Sequence, residues 1–122
     1  MCSASPQLDE QLQVKAKRRV ISMMIEAMEK RLKENLSLKM IADELYMNPT
    51  YLGRVFKEDI GEGFSSFLTK LRIKKAIELL NDVTMKVYEV SEQVGFKDPA
   101  YFSLLFKKYT GSTPQDYQKQ NK

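Results

Sequence analysis

The chain has 122 residues, with 20 Lys and Arg against 16 Asp and Glu, one Cys and no His. A hydrophobic share of 43% beside 30% charged residues excludes disorder throughout, and no apolar run approaches a membrane span. With Cys2 alone and no imidazole, an intramolecular disulfide, a Cys/His zinc site and histidine-dependent catalysis are excluded; the net charge of +4 permits a polyanionic partner.

Met1 to Gln7 carry no basic stretch followed by an apolar core, so no secretory signal is expected, and the cysteine usage fits a reducing, cytoplasmic setting. Cys2 is read as a terminal thiol. Strand signals are nearly absent and helical periodicity is found almost everywhere, which predicts an all-α chain. The first helix is expected from Lys15 to Asn35, with Val20, Ile21, Met24, Ile25, Met28 and Leu32 on one stripe; Leu8 and Leu12, four apart, suit an upstream continuation. Ser37 is a good N-cap for a short helix carrying Leu38, Ile41, Ala42 and Leu45. Met47-Asn48-Pro49 breaks it; Asn48 can cap and Pro49 opens a helix with Leu52, Val55, Phe56 and Ile60 inward, closed by Gly61 and Gly63. A long helix follows from Phe64 to Asn81. A short helix with Val87, Val90, Ser91 and Val94 then turns at Gly95-Phe96-Lys97-Asp98. Asp98 caps and Pro99 opens the next, with Phe102, Leu105, Phe106 and Tyr109 apolar and Gly111 closing it. Thr113-Pro114 starts a last short helix through Tyr117, and Gln118 to Lys122 are read as a frayed polar tail.

The chain repeats itself after about fifty residues. Pro49/Pro99, Tyr51/Tyr101, Phe56/Phe106, Lys57/Lys107 and Gly61/Gly111 are identical, and Ile41/Val90, Ala42/Ser91 and Leu45/Val94 match after a one-residue shift. Each copy reads as short helix, turn, second helix: two helix-turn-helix motifs joined by the Phe64–Asn81 helix. The small residue (Ala42, Ser91) allows close helix crossing, and the turn needs a residue able to reverse the chain (Asn48, Gly95). The proline-initiated helix presents N-terminal N–H groups that favour an anion such as phosphate, and its outer face suits a major groove.

On Ile41-Ala42-Asp43-Glu44-Leu45, Tyr51-Leu52-Gly53-Arg54-Val55-Phe56-Lys57, Arg72-Ile73-Lys74-Lys75-Ala76-Ile77-Glu78-Leu79-Leu80 and the segment Val90 to Tyr117, the chain resembles the DNA-binding domain of the AraC/XylS family of bacterial transcription regulators, over roughly Val20 to Tyr117. The resemblance implies a seven-helix bilobal domain with two helix-turn-helix motifs joined by a long linker helix. Its parts would be an N-terminal linker or tail (1–14), a first lobe (15–63), the linker helix (64–82), a second lobe (83–117) and a C-terminal tail (118–122). It further implies sequence-specific binding of double-stranded DNA, with recognition helices in successive major-groove segments about 34 Å apart. It implies an N-terminal sensor or receiver domain lying outside this chain, and RNA polymerase is a further candidate partner, for the interaction-module reading given below. No cofactor, metal or enzymatic activity is expected.

By position in the motif, Thr50, Gly53 and Arg54 would face bases from the first recognition helix, and Pro99, Ala100, Tyr101, Ser103 and Leu104 from the second. Asn48, Tyr51, Lys57, Arg72, Lys107 and Lys108 would meet phosphates. Arg54 can pair bidentately with guanine O6 and N7. Gly53 has no side chain to read with, and Leu104 offers only contact with a thymine methyl, so the first motif is expected to read sequence more sharply than the second. Tyr51 and Tyr101 could pack, or reach a phosphate through the hydroxyl. Arg72 suits a salt bridge as well as a phosphate. Lys17-Arg18-Arg19 reads more simply as a solvated helix face, and Met23, Met24 and Met28 as core filling or as a face for a partner domain. The alternative function is a helical protein-interaction module on the same fold with weak DNA affinity.

Overall fold

The computed structural model describes residues 6–120, so Cys2 lies outside the described residues. Among the described residues the chain forms seven helices and no strand: α1 (Pro6–Lys30), α2 (Leu38–Glu44), α3 (Pro49–Ile60), α4 (Phe64–Leu80), α5 (Val87–Gln93), α6 (Pro99–Thr110) and α7 (Pro114–Gln120). Helix α1 starts well upstream of Lys15, as Leu8 and Leu12 suggested. No helix among the described residues is long and apolar enough to cross a membrane.

Two compact units emerge, one from residues up to Lys30 with Ser37–Phe64, the other from Arg31–Leu36 with residues from Ser65 on. Most of the long helix α4, expected between two lobes, thus belongs to the second unit. In the first unit α1 and α2 both pack on α3. Ile21, Met24, Met28, Ile41, Ala42, Leu52, Val55 and Phe56 are buried there, and Phe64 closes on Phe56 edge to face at 6.1 Å. Met23 departs from the expected methionine stripe. It is 44% exposed, because it precedes Met24 by one residue and a one-residue step turns the helix face by about 100°.

The second unit buries Ile73, Ala76, Leu80, Val90, Val94, Phe96, Phe102 and Phe106, with Tyr117 of α7 edge-on to Phe106 at 5.6 Å. Helix α1 was expected to run to Asn35 but stops at Lys30. Leu32 and Leu36 are buried, and the turn is tied by Arg31, whose Nε donates to Glu34 Oε2 at 3.0 Å. Burial of two leucines in the second unit outweighs the few hydrogen bonds that another helical turn would add.

The two motifs repeat in their hydrogen bonds as well as in their letters. Tyr46 N–H donates to Asp43 O and Met47 N–H to Ala42 O; Gly95 N–H donates to Glu92 O and Phe96 N–H to Ser91 O. The chain-reversing residues are therefore Tyr46 (φ 56°) and Gly95 (φ 97°). This corrects the chain-reversing role given to Asn48; its expected role as N-cap of α3 holds, as does that of Asp98 for α6. Both helices have 12 residues, begin with proline and end on a left-handed glycine, Gly61 and Gly111. Ser91, buried at the crossing, donates its hydroxyl to Phe96 O at 3.1 Å.

The tail expected from Gln118 is helical as far as Gln120. Gln118 Nε2 donates to Met85 O at 2.7 Å and to Asp82 O at 3.1 Å. Two loop carbonyls converge on one amide, and that fixes the end of the helix. In the same loop Asp82 accepts from the Thr84 hydroxyl and then from its N–H, which holds the Asp82 carboxyl below the usual carboxylate range.

Candidate nucleic-acid interface

Helix α3 turns Leu52, Val55 and Phe56 inward, and the 3.6-residue period leaves Thr50, Tyr51, Arg54, Lys57 and Glu58 exposed. Arg54 sits above the Tyr51 ring at 5.5 Å, and its Nε lies 4.0 Å from Glu58 Oε1. Lys57 follows one turn below Arg54's flank, and its carbonyl accepts the Gly61 N–H that closes the helix.

Gly53 is half-buried, and a β-carbon there would come within 2.9 Å of Leu38 Cδ2. Its direction is therefore toward α2, and what it offers an outside ligand is backbone alone.

Helix α6 buries Phe102 and Phe106 and exposes Pro99, Ala100, Tyr101, Leu104, Lys107 and Lys108, with Ser103 half-buried. Leu104 is 67% exposed and occupies the place Arg54 has in the first motif. Tyr101 leans edge-on against Phe96 at 6.3 Å while 54% of it stays exposed. Both tyrosines thus rest a ring on a neighbour and keep a wet edge.

The electrostatics of the two helices differ. Lys57 of α3 is followed by Glu58 and Asp59, whereas Lys107 of α6 is followed by Lys108 and Tyr109. At the helix starts, N–H groups expected to be unpaired are engaged by capping side chains. Asn48 Oδ1 accepts from Thr50 N–H at 2.8 Å and Tyr51 N–H at 3.2 Å, and Asp98 Oδ1 accepts from Ala100 N–H at 3.0 Å. In α6 the cap is a carboxylate, which opposes a second anion.

Arg72 is separated from this set. Its Nη2 donates to the Glu34 carbonyl at 3.0 Å, and the guanidinium lies 5.7 Å from the centre of the Phe96 ring. Burial disfavours its charged form, and among the described residues its Nε finds no hydrogen-bond partner. In place of the carboxylate salt bridge expected for Arg72, the structure shows this bridge to backbone. Sequence reasoning named Asp98 as the cap of α6 and passed over one residue of the site, Glu58. The signal was present: Glu58 stands four residues after Arg54.

A model of the helix-turn-helix domain matches residues 41–120. The chain is 47% identical to the transcriptional regulatory protein YesN of Bacillus subtilis (strain 168), over 82% of this chain and 28% of that protein. It therefore spans little more than a quarter of that relative's length. The C-terminal domain of AraT, a response regulator from Geobacillus stearothermophilus, superposes with a TM-score of 0.79 at 33% identity, covering 83% of this chain and 84% of that one. The DNA-binding domain of AdpA, solved in complex with a target DNA, shares the fold with a TM-score of 0.76 at 24% identity, over 82% and 90% of the two chains. The repeated capped motif and a match over well more than half of its residues place this chain in the AraC-type helix-turn-helix family.

Proposed function

We propose that this chain binds double-stranded DNA sequence-specifically for transcription regulation, with α3 and α6 each entering a major-groove segment. The observation that carries this reading is the twofold occurrence of one device. In each motif a proline-initiated, side-chain-capped helix buries two or three apolar residues and turns a face with lysine outward. The DNA complex of the AdpA domain, which shares the fold, supports it. Arg54 reads a base from α3, with Thr50 beside it; Lys57, Lys107 and Lys108 meet phosphates. Ala100 and Leu104 give α6 an apolar reading face suited to thymine methyl groups, with Pro99, Tyr101 and Ser103 at its margin. The first motif is then the sharper reader.

The relatives named as response regulators support a longer protein in which a receiver domain governs this one. RNA polymerase is the natural further partner of such a regulator, and the cytoplasm its compartment.

A second reading, a protein-interaction module, draws on the exposure of Leu104 and Tyr101, two large side chains beside Pro99 and Ala100 on the outer face of α6. Selection of bound duplexes from a random pool, followed by anisotropy titration at two salt concentrations, separates the two. An enriched motif with affinity that falls steeply with salt supports DNA reading, since neutralised phosphates release counterions. No enrichment and weak, salt-insensitive binding supports the interaction module.

A further inference from the structure

Arg54 is held on two sides by residues of its own helix. Its guanidinium lies over the Tyr51 ring at 5.5 Å, three residues upstream, and its Nε faces Glu58 Oε1 at 4.0 Å, four residues downstream. Spacings of three and four place all three side chains on one stripe of α3. Arg54 and Glu58 side chains are 66% and 63% exposed, so in water the pair contributes little to stability. A groove excludes water, and there the same charges attract more strongly.

The chemistry of the guanidinium gives this clamp a direction. Arginine can fork onto guanine O6 and N7 with its two terminal amino groups, or side-on through Nε and one of them. Glu58 occupies the Nε side. A flat ring under the guanidinium limits its rotation out of the plane. We propose that Tyr51 and Glu58 are positioning residues that hold Arg54 with its terminal fork toward the groove, and so set its preference for guanine.

The second motif offers an internal contrast. The counterparts of Tyr51, Arg54 and Glu58 are Tyr101, Leu104 and Lys108. Where the arginine is missing the glutamate is missing too, although the tyrosine is kept. Glu58 also lines an open groove with Lys17, Arg18, Val55 and Asp59. An acid on a face meant for a polyanion weakens backbone contact, and its pairing with Arg54 is what the structure offers in return.

This inference rests on the reading of Arg54 as a base contact, and the test separates the two. The 122-residue chain is first used to select duplexes from a random pool. Anisotropy is then measured on the selected duplex and on single-base-pair variants at each enriched guanine. Wild type should prefer guanine at one position by about 5- to 150-fold, and Arg54→Ala should abolish that preference. Glu58→Gln keeps an oxygen on the Nε side and Tyr51→Phe keeps the ring, so both should retain the preference to within about twofold. Glu58→Ala and Tyr51→Leu should each reduce it about fivefold or more, with thermal melts confirming the fold. If Glu58→Ala and Glu58→Gln instead tighten every duplex alike and leave the preference intact, Glu58 acts only as a repelling charge and the inference is overturned. Absence of any enriched duplex with wild type would overturn the DNA-reading function itself. A guanine preference that survives Arg54→Ala would overturn the role of Arg54 and its clamp while leaving DNA reading in place.

Discussion

A β-carbon at Gly95 would lie 2.0 Å from the carbonyl oxygen of Leu32. The obstacle is backbone, so no rotamer change relieves it, and the φ of 97° adds the ordinary penalty of the left-handed region. Gly95→Ala should therefore destabilise the protein by about 3 kcal/mol or more, measured by urea unfolding. A loss under about 1 kcal/mol would mean that Leu32 is not held against this turn.

The matching turn of the first motif carries Tyr46, with φ 56° and 96% of its surface exposed. Relief of the left-handed strain gains about 1–2 kcal/mol, and the extra freedom of glycine in the unfolded chain costs about 0.5–1 kcal/mol. Tyr46→Gly should stabilise the fold by about 0.5–1 kcal/mol in the same unfolding assay. Destabilisation would show that the ring makes contacts its exposure conceals.

Ser91→Ala tests the buried hydroxyl at the crossing of α5. The Phe96 carbonyl loses its donor, and alanine leaves no cavity beyond the oxygen. The expected loss is about 1–2 kcal/mol, where the alanine at the corresponding place in the first motif, Ala42, is native. An unchanged urea midpoint would mean that water replaces the hydroxyl.

Gln118→Ala removes the donor shared by the Asp82 and Met85 carbonyls. It should lower stability by about 1–2 kcal/mol and raise amide exchange in the 82–86 loop. If exchange there does not change, α7 is not what orders the loop.

Asp98→Asn keeps an oxygen that caps Ala100 N–H and removes the negative charge at the start of α6. The selected duplex should be bound several-fold tighter with unchanged base preference, as read by anisotropy. Weaker binding would mean that the carboxylate itself accepts from a base.

Much of this was legible in the letters. Pro49 and Pro99, with their glycines twelve residues on, fixed the start and stop of α3 and α6, because proline and glycine act through local dihedrals that no packing can override cheaply. Phe56 and Phe106 fell in the core for a similar reason, since helical periodicity decides which face is apolar. The Arg54–Glu58 pair was also readable, four residues apart on one helix. The left-handed turn at Tyr46 was not, because tyrosine gives no sign of positive φ and only the parallel with Gly95 in the folded chain shows it.

Residues whose partners are distant in sequence were out of reach in the same way. Arg72 looked like a surface cation until the carbonyl of Glu34, 38 residues earlier, was found to take its Nη2. Gln118 looked like tail until two carbonyls more than thirty residues back converged on it. Backbone acceptors carry no letter, so nothing in a sequence announces where they will be left unpaired. The helices, the repeat and the two outward faces follow from local dihedrals and periodicity, which the letters carry. That Arg31–Leu36 leave α1 to bury two leucines, that Arg72 reaches the Glu34 carbonyl, and that Gly53 gives way to Leu38 emerge only in the folded chain. Each of these is settled by what a residue meets across space.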